Sequence, residues 1–128
     1  MKIIRPKSKQ PIPASAKKVF QGKIFDVFQW PQKMYDGTVT TFEKAKRDDS
    51  AVIIPITSDG KIIIATESQP GMKAETDLIT GRIEDGETPL AGAQRELLEE
   101  TGYTGKKWVL LETFQPVYKI DWAVYYFI

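Results

Sequence analysis

The 128-residue chain contains no cysteine and no histidine. Without cysteine it has no disulfide framework and no thiol nucleophile. Without histidine it lacks the commonest general base, the Ser–His type of nucleophilic site and histidine-ligated zinc. Acid–base or metal chemistry must therefore rest mainly on carboxylates, hydroxyls, lysines and backbone groups. Such hard oxygen ligands favour Mg²⁺ or Mn²⁺.

Charge and hydropathy narrow the range of partners. The 18 Lys and Arg residues nearly balance the 17 Asp and Glu residues, so the formal net charge is only +1. Global electrostatics therefore does not favour nucleic acid or membrane. No run reaches the roughly 18 apolar residues of a membrane span, and the N-terminus has no apolar core of a secretory signal. We predict a cytoplasmic protein with neither kind of partner.

The length of the chain fits a single domain. Residues 1–17 are rich in Lys, Pro and Ser, which predicts a loose, solvated N-terminal arm. The folded domain is expected to occupy residues 18–128.

Aromatic and β-branched residues predict strands in the first part of the domain. Residues Lys18–Trp30 favour one or two strands with a possible bend at Gly22. A turn signal at residues 35–37 is followed by an alternating run, 38–46, that is typical of a partner strand.

Two near-continuous apolar runs, 51–56 and 61–66, are joined by a Ser-Asp-Gly turn at 58–60. This pattern predicts a hairpin whose strands are buried on both faces. Two further strands are expected at 108–114 and 122–128.

A single helix is predicted between these strands. Residues 67–80 are expected to be mostly loop. Thr88 is a suitable N-cap and Pro89 a suitable first helical residue. The helix should end near Thr101, because Gly102 is a typical stop.

Three glutamates of this helix, Glu96, Glu99 and Glu100, fall within one narrow sector of its surface. Such a crowded group repels itself, but it becomes favourable around a divalent cation. Taken alone, three glutamates are more often a solvated acidic face. The core side of the helix is expected to consist of Leu90, Ala93, Leu97 and Thr101.

The surrounding residues, GRIEDGETPLAGAQRELLEETGY at 81–103, resemble the Nudix box G-x5-E-x7-R-E-U-x-E-E-x-G-U, where U is a bulky apolar residue. Seven residues at roughly 7% frequency each would match by chance about once in 10⁸ starting positions. The motif is therefore highly specific. The matching fixed residues are Gly81, Glu87, Arg95, Glu96, Glu99, Glu100 and Gly102.

The resemblance implies a metal site. In the family, the glutamates that match Glu96, Glu99 and Glu100 bind one or more Mg²⁺ ions, with Mn²⁺ as a possible substitute. The backbone carbonyl that precedes the first glycine of the box, here that of Thr80, commonly adds a ligand.

The resemblance also implies an ion pair that holds the loop of the box and a general base. Glu87 and Arg95 are expected to pair and to hold the loop of the box against the helix, although such a pair can also be an ordinary surface salt bridge. Glu96 is the leading candidate for the general base, since a carboxylate needs only hydrogen-bond reach of the attacking water.

Beyond the box, residues 18–128 are similar to the ADP-ribose pyrophosphatase branch of the Nudix superfamily. This similarity implies an α/β/α sandwich with a mixed sheet. It also implies hydrolysis of ADP-ribose or a nucleotide sugar to a nucleoside monophosphate and a sugar phosphate. The branch further implies a homodimer in which the N-terminal strands, here Val19–Trp30, pack across a two-fold axis.

The sequence departs from this branch at several positions. Gln69 is retained as a candidate substrate residue, but the arginine that usually follows shortly after it is missing. The sequence Ile79-Thr80 replaces the usual Pro-Ala before the box. The chain stops at Ile128 within an apolar run, so we expect a fold that is incomplete at this end and a parent protein that continues.

These departures leave alternatives open. Trp30 is a candidate for stacking a nucleobase, although an aromatic residue in a strand more often belongs to a core or an interface. A pyrophosphohydrolase of nucleoside triphosphates is one alternative function. A non-catalytic Nudix-fold module that binds nucleotides is another.

Overall fold

The structure is a computed structural model that describes residues 1–128. It contains ten strands and one helix. The strands are β1 Lys17–Gln21, β2 Asp26–Lys33, β3 Val39–Lys46, β4 Ser50–Ile53, β5 Ala65–Glu67, β6 Glu75–Asp77, β7 Ile79–Arg82, β8 Leu110–Phe114, β9 Ile120–Asp121 and β10 Val124–Phe127. The helix α1 spans Pro89–Thr101.

The N-terminal sheet has the strand order β1-β2-β3-β9. The predicted bend at Gly22 separates β1 from β2, and the Gly22 N–H donates to the carbonyl of Phe25 at 2.8 Å. The predicted turn at 35–37 joins β2 to β3, and Gly37 there adopts a φ of 87° that favours glycine. Strand β9 then adds to β3 in parallel.

The central sheet has the order β7-β4-β10-β8 and is mixed, as predicted. Strands β4 and β10 are parallel, whereas the β4–β7 and β10–β8 pairs are antiparallel. Helix α1 packs against β4 and β7. The α/β class is confirmed, with one helix contributed by this chain. The core between helix and sheet comprises Ala51, Ile53, Ile79, Ala93, Leu97, Ala123, Tyr125 and Phe127.

Helix α1 has the predicted bounds, because its ends are encoded locally. The Thr88 Oγ1 accepts the Ala91 N–H at 3.1 Å, which caps the first turn. Gly102 adopts a left-handed φ of 75° and its N–H donates to the Leu98 carbonyl at 2.8 Å. With the two ends fixed, the period of the helix places Glu96, Glu99 and Glu100 on one side.

The prediction of a second buried strand at 61–66 was wrong. The turn at 58–60 is present, but Ile62 makes only an isolated bridge to Ile56, and both side chains are exposed. The central sheet pairs β4 with β10 and β7 instead, so this apolar run lies outside it. Residues 67–80 lie mostly outside strands, as predicted, but they include β6 and the start of β7, which forms the edge of the central sheet.

The first ten residues of the predicted N-terminal arm contact the domain, although most of them are exposed. Ile3 packs against the core, and Arg5 makes ion pairs with Asp49 and Asp121. The segment therefore lies on the body of the domain, although it has no regular secondary structure. No helix of the chain has the length and apolar character needed to cross a membrane.

Candidate active site

Glu96 is a buried carboxylate held against the backbone of β7. Only 9% of the residue is exposed. A Cβ added to Gly81 would lie 1.9 Å from the Glu96 Cδ, so the glycine leaves the space that the carboxylate fills. Thr80, the predicted carbonyl ligand, is the residue next to this contact. The structure therefore brings the first glycine of the box and its first helical glutamate together.

Arg95 ties the loop, the edge strand and the helix together. Its Nε and Nη2 donate to the two Glu87 carboxylate oxygens at 2.7 and 3.0 Å. Nη2 also donates to the Arg82 carbonyl at 2.8 Å. Nη1 donates to Glu96 at 2.8 Å and to Glu99 at 3.1 Å. All three nitrogens are bonded, so the guanidinium has little freedom to move.

The loop of the box is closed by Glu87. Its carboxylate accepts the Glu84 N–H at 2.9 Å, and its own N–H donates to the Glu84 carbonyl at 3.0 Å. Hydrogen bonding from Arg95 lowers the pKa of Glu87 to about 2, with the Glu84 N–H as the second cause. Hydrogen bonds to Glu87 and then Glu96 raise the pKa of Arg95 further above its usual value. Both groups are therefore charged at neutral pH.

The Glu87–Arg95 contact predicts a specific acid sensitivity. Because folding lowers the pKa of Glu87 from 4.5 to about 2, its stabilising contribution is complete above the unfolded value and is lost as the pH falls toward 2. We expect Glu87→Gln to reduce stability at neutral pH and to remove part of the pH dependence between these values. Acid unfolding followed by circular dichroism measures both effects.

The matched control is Glu67→Gln, which changes an exposed glutamate of β5. It should leave the acid transition of the protein unchanged. Identical acid transitions for Glu87→Gln and the unsubstituted protein would contradict the anchoring role.

The carboxylates predicted to bind metal all lie on α1. The Arg95 guanidinium donates hydrogen bonds to two of them, Glu96 and Glu99. Glu99 and Glu100 are exposed, and no three acidic side chains are close enough together in this structure to hold a metal ion. However, Glu96 and Glu99 already share one positive group, Arg95 Nη1. Carboxylates are hard oxygen donors, and two of them placed to share one cationic group fit the chemistry of a hard divalent ion.

Comparison with known proteins identifies the family. The model of the NUDIX domain matches residues 46–128. This chain belongs to the Nudix family.

Named relatives of this Nudix domain include two pyrophosphatases. An ADP-ribose pyrophosphatase of Bacillus subtilis (strain 168) is 32% identical over 97 residues, which cover 75% of this chain and 52% of the relative. A mouse ADP-sugar pyrophosphatase is 38% identical over 71 residues, covering 52% of this chain and 33% of the relative. The chain thus spans about half, or less, of the length of these relatives.

A solved structure described as an ADP compounds hydrolase has the same fold. It superposes with a TM-score of 0.73 at 21% identity and covers 94% of this chain and 67% of its own. At this identity the likeness concerns the fold alone. It confirms the predicted Nudix-type architecture.

The two substrate residues predicted from the sequence lie apart from the box. Gln69 lines a small pocket that contains no residue of the Nudix box and has several acidic walls, among them Glu67 and Asp77. Trp30 is only 4% exposed and packs edge-on to Phe42 with ring centroids 6.0 Å apart. Its burial favours the core alternative, and a stacking role for Trp30 stays a prediction.

Arg47 is a feature that the sequence analysis missed. Its guanidinium lies over the rings of Phe25 and Trp122, at 5.6 and 4.7 Å from their centroids. Its Nε is buried without a hydrogen-bond partner. The charged triplet Arg-Asp-Asp at 47–49, immediately before an apolar strand, was the signal that could have drawn attention to it.

Proposed function

We propose that the protein is a metal-dependent Nudix pyrophosphohydrolase of ADP-ribose or a nucleotide sugar. The observation that carries the proposal is the complete box, whose Arg95 joins the loop glutamate Glu87 to the helical glutamates Glu96 and Glu99. An ordinary surface salt bridge pairs one cation with one carboxylate. A guanidinium bonded to three carboxylates is expected where a site must hold those carboxylates in fixed positions. The products would be a nucleoside monophosphate and a sugar phosphate.

The residues proposed to hold Mg²⁺, or Mn²⁺ in its place, are Glu96, Glu99 and Glu100 with the backbone carbonyl of Thr80. When bound, a divalent cation supplies positive charge that neutralises the diphosphate and polarises its phosphorus. The chain itself contributes the fixed geometry. Gly81 provides the space for Glu96, and the helix spacing keeps the other two carboxylates on the same side.

The remaining roles in the proposed reaction belong to side chains of the protein. Glu96 is proposed to accept a proton from the attacking water, because it is the most buried carboxylate of the box and its position is fixed by Arg95. Arg95 and Glu87 hold the loop against the helix. In this proposal the substrate is positioned by residues outside the box, for which Gln69 and Trp30 are the sequence-based candidates.

The substrate class is supported by the names of the relatives, an ADP-ribose pyrophosphatase and an ADP-sugar pyrophosphatase. The missing arginine after Gln69 leaves open the alternative of a nucleoside triphosphate as substrate. Product analysis separates these two functions. With Mg²⁺, ADP-ribose should give AMP and ribose phosphate, whereas a triphosphate substrate would release inorganic pyrophosphate.

The experiment incubates purified protein with ADP-ribose, an ADP-sugar and a nucleoside triphosphate in parallel, and products are resolved by ion-exchange chromatography. The proposal expects the two diphosphate compounds to be cleaved with the higher kcat/KM. Preferential release of pyrophosphate from the triphosphate would establish the first alternative. Binding of nucleotide without any product would establish the non-catalytic module.

We also propose that the protein is a homodimer through its N-terminal sheet. Strand β1 and the turn after it expose Val19, Phe20, Ile24 and Phe25, which form more apolar surface than a lone monomer usually leaves in water. Light scattering at micromolar concentrations should give twice the mass of the chain. Phe20→Asp should shift that mass toward the monomer.

The control for the dimer is Ile62→Asp, because Ile62 is about as exposed as Phe20, at 54% against 58%, but lies outside the N-terminal sheet. It should leave the mass unchanged. A monomeric unsubstituted protein would refute the dimer, and an equal effect of both substitutions would place the interface elsewhere.

A further inference from the structure

We propose that Arg5 is a positioning residue for the loop of the Nudix box, acting through Asp49 and the backbone of Ile83. The inference rests on the proposed function, since it concerns how that site is held. Arg5 lies 44 residues before Asp49 in the chain, outside the residues matched by the family model. The connection between them is visible only in the folded structure.

Arg5 makes a two-pronged contact with Asp49. Its Nε and Nη2 donate to the two carboxylate oxygens at 2.8 and 2.9 Å, and Nη2 also donates to Asp121 at 2.9 Å. The Asp49 carboxylate further accepts the Ala123 N–H at 2.8 Å. One guanidinium therefore joins the residue before β4 to the last residue of β9. Paired planar contacts of this kind fix orientation as well as position.

Asp49 connects this contact to the Nudix loop. Its backbone carbonyl accepts the Ile83 N–H at 2.9 Å. The next residue, Glu84, donates its N–H to the Glu87 carboxylate, which in turn holds Arg95. A continuous series of hydrogen bonds and one peptide link thus runs from Arg5 to the guanidinium that positions the helical glutamates.

The segment that carries Arg5 is held on both sides of it. Ile3 packs against the core before it, and the Pro6 carbonyl accepts a hydrogen bond from Gln115 at 3.1 Å after it. Farther along, the buried Lys44 donates to the Ser8 hydroxyl and, at 2.7 Å, to the Gln10 carbonyl. These contacts fix the N-terminal segment on the domain. Arg5 therefore reaches Asp49 from a fixed position and can act on the loop of the Nudix box.

Loss of the Arg5 side chain should act mainly on the loop. The Asp49 side chain is only 18% exposed, and without its cation it gains by turning toward water. Without the Arg5 contact, the segment of Asp49 is held less firmly, and its backbone carbonyl is the acceptor of the Ile83 N–H. Coupling along packed networks typically changes an affinity by roughly 2- to 30-fold. We expect Arg5→Ala to weaken Mn²⁺ binding within this range and to speed exchange of the Ile83 and Glu84 amides.

The test measures residue-resolved amide hydrogen exchange by NMR and, separately, Mn²⁺ affinity by calorimetry. Neither readout requires a substrate. Lys18→Ala is the matched control, because the Lys18 side chain has the same 41% exposure and also makes an ion pair, with Asp26 in the N-terminal sheet. Arg5→Lys keeps the charge but not the two-pronged contact, so it should show a smaller change than Arg5→Ala.

The expected result is faster exchange confined to Ile83 and Glu84 in Arg5→Ala, with no change there in Lys18→Ala. In an Asp49→Asn background the Arg5 substitution should add nothing at Ile83, because the contact is already weakened. Unchanged exchange at Ile83, or an equal rise at all amides, would overturn the proposal. If Arg5→Ala does not fold, Arg5→Lys decides by the same criteria. Failure of the unsubstituted protein to bind Mn²⁺ would refute the metal site, while amide exchange would still decide the role of Arg5.

Discussion

Replacing Glu99 or Glu100 by glutamine is expected to lower metal-dependent turnover by at least about 100-fold, the scale at which loss of one electrostatic contact reduces catalysis. Glutamine keeps the shape of the side chain but removes the charge that a divalent cation requires. Both residues are exposed on α1. Glu100→Gln should change stability by no more than about 0.5 kcal/mol, and Glu99→Gln, which weakens an exposed contact with Arg95, by no more than about 1 kcal/mol. The effect on activity is therefore separable from an effect on folding.

Steady-state kinetics with ADP-ribose and Mg²⁺ measures this effect, with thermal unfolding recorded in parallel. The control is Glu112→Gln, which removes the charge of an exposed glutamate of β8, outside both the box and the pocket lined by Gln69. It should retain normal kcat. If the Glu99 and Glu100 variants keep full turnover, the acidic face of α1 is only a solvated surface and does not bind the metal.

Gly81→Ala should cause a loss of activity of similar size by a steric route. The added methyl group would stand 1.9 Å from the Glu96 Cδ and 2.3 Å from one of its oxygens, so the carboxylate or the strand must move. Displacement of a group by about 1 Å can reduce catalysis about 100-fold. We therefore expect turnover and Mn²⁺ affinity to fall together in this variant.

Gly37→Ala is the matched control for the glycine substitution. Gly37 adopts a φ of 87°, and nothing lies within 4 Å of an added Cβ, so alanine there costs backbone strain but does not touch the site. It should lower stability by about 1 kcal/mol and leave kcat unchanged. Normal Mn²⁺ affinity in Gly81→Ala would show that Glu96 does not have to lie against β7.

The helix and the box were predictable because their signals are local. Thr88, Pro89 and Gly102 define the ends of α1 within a few residues, and the helical period then places Glu96, Glu99 and Glu100 on one side. The full set of Arg95 hydrogen-bond partners was less predictable. The sequence indicated its pairing with Glu87, but its bonds to Arg82, Glu96 and Glu99 depend on how β7 meets the helix.

Features that depend on long-range pairing escaped the sequence analysis. The apolar run at 61–66 looks like a buried strand, yet the places beside β4 are taken by β10 and β7, so Ile62 and Ile64 remain exposed. The polar composition of the N-terminal arm did not indicate that its first residues contact the core and Asp49. Arg5 binds Asp121, 116 residues away, and no local pattern can indicate such a contact.

Hydrolysis of ADP-ribose in water enriched in ¹⁸O, with Mg²⁺ present or removed by chelator, is the most direct test of the proposed activity. We predict that AMP and ribose phosphate appear only with Mg²⁺ and that one of the two carries a single ¹⁸O in its phosphate, as attack by water on phosphorus requires. Turnover that persists in excess chelator, or the absence of both products with Mg²⁺ present, would contradict it.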